Sequence, residues 1–324
     1  MCRKSARIAL CPPRHSLTRE TFRAMINAMN SELHRTELED LGVLRFTGPD
    51  AVRFLQGQLS SDVTRVAAGY ATLAGYHNPQ GRTIALLRLV ALAEGELLAL
   101  LPRELAAGVA QRLTKYVLRA KVVIAEVSQE WRVSALAPAA ELTRGEPAGS
   151  DCAPRAAAEP IRLALGEQPA RWLELTPRTA TSHLDPAARE QWRLLEIRAG
   201  IPQVYAATSE RFVAQMLNLD VLGAIAFDKG CYSGQEVIAR AHYRGRVKRR
   251  AQRWRSRAPL TLAPGDAGVL PDGRAFEVVH GACLPDGRCE FLAVAPLGPP
   301  EGDSSGEAPT VDAEPLELPY TLTP

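Results

Sequence analysis

Between residues 36 and 127 the apolar positions repeat with two periods. "LGVLRFTG" puts Val43, Leu44 and Phe46 in a strand-like run. Gly48-Pro49-Asp50 then reads as a turn, with proline suited to a first helical position. Val52, Leu55 and Leu59 follow at i, i+3 and i+7, the stripe of an amphipathic helix. "TLAGYHNPQGRTIALLRLVAL" predicts a hairpin turning at Asn78-Pro79-Gln80-Gly81. "ELLALLP" predicts a third strand. Leu105, Val109, Leu113 and Val117 then recur every four residues in a helix near 103–118, and "KVVIAEV" is a further strand. This order is α+β, not a run of regular βαβ units.

The pattern weakens over residues 135–180, which are rich in Ala, Pro, Glu and Arg and read as a variable subdomain with loops. It returns at Asp185-Pro186, an N-cap followed by proline at the first helical position. Trp192, Leu195 and Ala199 share one face of that helix, and Gly200 and Pro202 stop it. From about residue 248, short strand-like segments alternate with "APGD" and two "LPDGR" turns. They predict a small, β-barrel-like C-terminal domain over 245–324, with 298–315 as loop and "LELPYTL" as a last strand.

Composition narrows the class. At 324 residues, two or three domains are expected. Hydrophobic residues at 46% and charged residues at 23% are a soluble globular balance. The longest apolar stretch is broken by Arg88, Glu94 and Glu96 and falls short of the ~20 residues that span a bilayer. A net charge of +3 does not by itself demand a nucleic-acid partner. Six cysteines without a CxxC argue against a zinc knuckle or a disulfide scaffold, which leaves a reducing cytoplasm as the default compartment. The first 34 residues have many bases and, up to Asn30, one acid, Glu20. Their composition is that of a transit peptide or of an upstream extension, with Met25 or Met29 as the start. They are set aside from the fold.

Candidate chemistry concentrates in "DKGCYSGQEVIARAHYRGRVKRR", residues 228–250. Gly230 and Gly234 flank Cys231-Tyr232-Ser233, which implies a tight backbone. Ser233 and Glu236 have capping-box spacing, so Ser233 is expected as the N-cap of a helix through "VIARAHY". Cys231 then lies just outside a helix N-terminus, where the dipole and Lys229 favour thiolate. Two readings stand side by side: a reactive or ligand thiol, and a buried cysteine packing a turn. His242 sits eleven residues on, so a Cys-His dyad would need a tertiary contact. From Arg240 to Arg257 there are nine Lys or Arg and no acid, with Tyr243 and Trp254 interleaved. Arg253, Arg255 and Arg257 read as a strand's outward face. Arg244, Arg246 and Lys248 read as an anion site. Trp192 is either core or a stacking platform.

"KGCYSGQE" resembles the signature of the YgfZ family of folate-binding proteins, which are similar to the T-protein of the glycine cleavage system. "FLQGQLSSDV", "NPQGR", "LTKYVLRAKV", "QWRLLEIRAGIP", "LNLDVLGAIAFDKGCY" and "EPLELPYTL" resemble other parts of that family, over about 36–323. The resemblance implies a folate-binding α+β domain made of 36–127 with 185–240. With a second α+β subdomain at 128–184 it forms a ring around a central channel, and the C-terminal β-barrel-like domain is a third part. It implies a tetrahydrofolate cofactor, a role in making or maintaining iron–sulfur proteins, and an indirect effect on tRNA modification. Trp192 matches a folate-contacting tryptophan, and a second such tryptophan falls at Leu41. Cys231 matches the family's thiol and Lys229 its neighbour, with Gly230, Tyr232, Gln235 and Glu236 around them. Arg244 and Arg246 are candidates for the glutamate tail of the folate. The aminomethyltransferase carries acids shortly after its hairpin glycine, but "GRTIALL" has none, so glycine cleavage is not expected. The expected protein is a monomer with folate and iron–sulfur clients as partners and neither metal nor membrane. The alternatives are a folate-dependent one-carbon transferase acting on tRNA or protein, and a non-catalytic folate-binding module. Whether it is an enzyme stays open.

Overall fold

The computed structural model describes residues 33–67, 70–143, 146–147, 160–167, 169–178, 184–299 and 309–322. Its frame is three five-stranded sheets, each antiparallel throughout. The elements run β1 (Leu33–Glu37), β2 (Leu41–Thr47), α1 (Ala51–Gln56), β3 (Thr72–His77), β4 (Thr83–Ala93), β5 (Glu96–Pro102) and α2 (Arg103–Thr114). Next come β6 (Val123–Glu126), β7 (Trp131–Pro138), β8 (Glu146–Pro147), β9 (Ile161–Glu167), β10 (Ala170–Pro177), α3 (Pro186–Arg198) and α4 (Gln235–Arg244). The chain closes with β11 (Arg249–Ser256), β12 (Ala267–Val269), β13 (Ala275–Cys283), β14 (Cys289–Pro296) and β15 (Ala313–Leu316).

The first sheet has the order β3-β4-β5-β2-β6 and is covered on both faces. Alternation along β2 shows why. Leu44 and Phe46 point to a cluster under α1 and α2, with Phe54, Leu55 and Val109. Leu41 and Val43 point the other way, toward the second sheet, and join Val133, Leu173 and Trp192. Strands buried on both faces read as continuous apolar runs, as β2 and β5 do. The second sheet has the order β8-β1-β7-β10-β9. Its second position is held by β1, so a strand from the chain's first described residues completes a sheet built mostly from 131–177. The domain limits read from sequence cut through this strand. Among the described residues of 128–178 there is no helix, and the strands of this stretch join β1 in one sheet. Most of 135–180 that read as loop lies either in β7, β9 and β10 or outside the described residues.

Helix α3 forms as its sequence predicts. Asp185 Oδ1 accepts from the amides of Ala187 and Ala188 at 2.9 and 3.1 Å, Pro186 follows, and Gly200 takes φ +68° past the end. Its two apolar faces touch different neighbours. Trp192 and Leu195 enter the cluster between the first two sheets, while Leu194 and Ile197 pack on Ala282 and Leu292 of the third. The third sheet has the order β12-β13-β14-β11-β15, with both LPDGR segments at its turns. Its last strand is Ala313–Leu316, a few residues earlier than expected.

Where these units meet, Glu196 of α3 accepts through one carboxylate oxygen from Arg88 of β4 and through the other from Arg171 of β10. All three side chains are buried. Burial alone would raise the carboxyl's pKa, but the two guanidiniums outweigh it and hold Glu196 below the usual range. Replacing Glu196 by Leu strands two buried arginines and should cost about 3–5 kcal/mol in urea unfolding. Arg189→Ala, on the same helix but at its surface pair with Glu39, should stay within about 0.5 kcal/mol.

Candidate functional site

The segment before α4 is tied down along the first sheet. Ala226 donates to Ser60 O at 2.8 Å, and Ser60 Oγ donates to Ala224 O at 2.7 Å while accepting from Gly75 N. Lys229 Nζ donates to Leu59 O and Ser61 O, both at 2.7 Å, and lies 5.3 Å from the centre of the Tyr232 ring. Burial draws its pKa down to about 8, with Asp62 opposing. The neutral amine keeps two N–H donors, enough for both carbonyls. Lys229 therefore pins this loop to the first sheet, where the sequence suggested a charge for the thiol.

Two glycines of different motifs meet at the end of that loop. Gly234 is the N-cap of α4 at φ +80°, and a Cβ there would lie 2.5 Å from Asn78 O and 2.9 Å from the Cα of Gly81. Gly81 itself has φ +71°, and a Cβ on it would meet Val237 at 3.1 Å. The hairpin turn and the helix start are in backbone contact that side chains would forbid. This close approach moves the helix start to Gln235. Ser233 is thus not the N-cap, no side chain caps the helix, and Glu236 stands at the second helical position, so the expected capping box is absent.

Cys231 is an exposed free thiol in this anchored loop. Tyr232 behind it is buried with Phe212 and Ile238. Gly230 faces open space, and Gln235 and Glu236 begin α4. A cavity of about 260 Å³ beside the loop is lined by Gln58, Tyr76, His77, Asn78, Tyr116 and Ser233. His77 is buried there with neither ring nitrogen hydrogen-bonded, and burial lowers its pKa to about 3. His242, the histidine downstream of the thiol, stacks on Phe227 with ring centres 3.9 Å apart.

Leu41 and Trp192 share the cluster between the first two sheets, and Trp192 is 4% exposed. The motif loop belongs to a different cluster, formed with the third sheet. The structure thus joins Trp192 to Leu41 and Cys231 to the hairpin, as two neighbourhoods. Arg244 ends α4 and Arg246 follows it, both exposed. At 1.5 Å per residue the helix sets Arg244 some 14 Å from its first turn, so these arginines are not neighbours of the thiol by sequence proximity. Of the other arginines, Arg253 and Arg255 alternate along β11 as expected, whereas Arg257 lies past its end at Ser256. Arg253 and Arg255 pair with the fully buried Glu290 at 2.8 and 2.9 Å, and Arg257 with Asp312 at 3.4 Å. The sequence did not single out Glu196, Arg88 or Arg171. Their signal is a charge inside an apolar run: Arg88 in "IALLRLVAL" and Glu196 in "RLLEIRAG". Glu196 also stands one turn after Trp192 on the same helix.

No family model matches the chain. Three antiparallel sheets around a buried helix, with a hairpin turn clasped to a later helix start, make this an aminomethyltransferase-type α+β fold. The crystal structure of aminomethyltransferase T of the glycine cleavage system from Bartonella henselae superposes with a TM-score of 0.57 at 14% identity, over 83% of this chain and 80% of that one. The tRNA-modifying protein YgfZ of Edwardsiella ictaluri is 35% identical over 234 residues, 67% of this chain and 69% of that protein. The protein of the same name from Escherichia fergusonii is 33% identical over 260 residues, 75% of this chain and 76% of that one. The chain belongs to the YgfZ family.

The two glycines around the thiol should respond differently to alanine. Gly234→Ala meets both a positive φ and the Asn78 carbonyl, so it should lose more than about 1 kcal/mol in urea unfolding. Gly230→Ala, with nothing within 4 Å, should unfold within about 0.5 kcal/mol of wild type.

Proposed function

We propose that this protein binds a tetrahydrofolate-type cofactor and acts as an accessory in the assembly or repair of iron–sulfur proteins, with Cys231 as its working thiol. The observation that carries this reading is the presentation of Cys231: exposed, on a loop fixed by Lys229, Ser60 and the Gly81–Gly234 contact. A cysteine that only packs a turn is buried, and this one is not. The fold supports the cofactor class, because the solved relative is an aminomethyltransferase. The absence of acids after Gly81 argues against aminomethyl transfer itself.

Trp192 and, one turn on, Glu196 are residue types that hold a pterin, a ring to stack and a carboxylate to accept from ring N–H groups. As packed here, however, the ring is 4% exposed and the two carboxylate oxygens already accept from Arg88 and Arg171. Leu41 adds apolar contact without a second ring. Bound tetrahydrofolate would supply a carrier for one-carbon units. Because Trp192 is buried, a ligand reaches it only if the packing around Glu196 gives way, and tryptophan fluorescence should report that change.

Titrating tetrahydrofolate against tryptophan fluorescence should give saturable quenching in wild type and in Cys231→Ala. Trp192→Phe should bind roughly tenfold more weakly, a loss of about 1.4 kcal/mol. In a strain lacking the protein, Cys231→Ala should fail to restore iron–sulfur enzyme activity. Full restoration by that variant would leave a non-catalytic folate-binding module.

A second reading, direct contact with RNA by a folate-dependent transferase, is favoured by the surface after the thiol. Tyr243 is 68% exposed and meets both Phe227 and His242 edge-on, next to exposed Arg240, Arg244 and Arg246. None of the three arginines has an ion-pair partner among the described residues. Exposed rings interleaved with arginine suit stacked bases and phosphates. The related proteins' name, tRNA-modifying, agrees with this partner class. The Arg244→Ala/Arg246→Ala double variant should lower the slope of log affinity for tRNA against log salt by about 2. Unchanged tRNA binding with weaker polyglutamyl folate binding would assign the segment to the cofactor's acidic tail instead.

A further inference from the structure

The hairpin of β13 and β14 carries two cysteines on one rung. Cys283 ends β13, Cys289 opens β14, and they are register partners. Their amides identify the kind of rung. Cys283 N donates to Glu190 Oε1 on α3 at 3.2 Å, and Cys289 N donates to Ser256 Oγ at the end of β11 at 2.9 Å. Both N–H groups point out of the hairpin, so neither bonds across it. The ladder bond falls on the next pair, Leu284 N to Arg288 O at 2.7 Å. Cys283 and Cys289 are therefore a non-hydrogen-bonded pair, the rung that draws strands closest, with Cα atoms about 4.5 Å apart and side chains on one face. A disulfide requires Cα atoms about 4.4–6.8 Å apart. Both thiols are free, Cys289 buried and Cys283 half-buried.

We propose that Cys283 and Cys289 are a dithiol site that a peroxide oxidises to a cross-strand disulfide. Cys283, the more accessible sulfur, attacks one peroxide oxygen as its thiolate. The O–O bond breaks, leaving a sulfenic acid on Cys283 and a hydroxide that takes up the proton given up by the Cys283 thiol and leaves as water. The Cys289 sulfur then displaces that hydroxyl group, which leaves as a second water carrying the Cys289 proton. Two thiols lose two electrons in all, and hydrogen peroxide becomes two waters. The burial that raises the Cys289 thiol to about 11 gives it the resolving role and Cys283 the attacking one. The new bond would close the hairpin against α3, which Glu190 already links to Cys283. Cys231 lies on another element and keeps its thiol. The site does not depend on folate binding.

The test uses the full chain with hydrogen peroxide at one equivalent, followed by non-reducing tryptic digestion and mass spectrometry. Cleavage after Arg288 separates the two cysteines, so the disulfide appears as a linked pair of peptides. The expected result is that linked pair, a loss of two titratable thiols and full recovery with dithiothreitol. Cys283→Ser should abolish the pair and slow peroxide consumption. Since the link is read on wild type, a misfolded variant cannot mask it. A linkage from Cys283 or Cys289 to any other cysteine, or sulfinic acid without linkage, would overturn the proposal.

Discussion

Three sheets meet at one carboxylate. Glu196 spends both oxygens on arginines from two different sheets, while its helix lays an apolar face on the third. Such a triad adds little net stability, because desolvating three charges offsets most of their attraction. What it adds is selectivity among dockings. Any position of α3 that leaves one guanidinium short of its oxygen leaves a charge buried without its partner. The helix that carries Trp192 is therefore located by electrostatics as well as by packing.

A second constraint is steric and acts on the motif. The first glycine of "KGCYSGQE" meets nothing, whereas the second allows two backbones to touch. A pattern that looks like one tight turn is thus two separate demands. The "NPQGR" turn and the thiol loop lie more than 140 positions apart in sequence but form one rigid corner. Lys229 completes that corner by holding two carbonyls that no strand or helix satisfies.

Much of this was legible in the chain. Apolar runs gave the strands of the first sheet and Pro-Asp-Gly turns those of the third, and Asp185, Pro186 and Gly200 bounded α3 because caps are local chemistry. What stayed hidden was non-local. The start of α4 depends on a hairpin that capping rules do not see, so Ser233 looked like an N-cap. The second sheet was unreadable because it is completed by β1, which the whole first sheet separates in sequence from its partner β7. Arg88 was noticed only as a break in an apolar run, since its partner lies on another element. At Arg253 and Arg255 alternation did suffice, because their partner Glu290 sits opposite on the neighbouring strand.

The place of β1 has a consequence for how the chain is made. Its partner β7 emerges from the ribosome roughly a hundred residues later, after the whole first sheet has been synthesised. During that interval the first sheet can complete its own pairings, but β1 has no strand to pair with. The second sheet is therefore a late-forming unit of high contact order, and until β7 arrives β1 is an open edge that a nascent-chain chaperone would find.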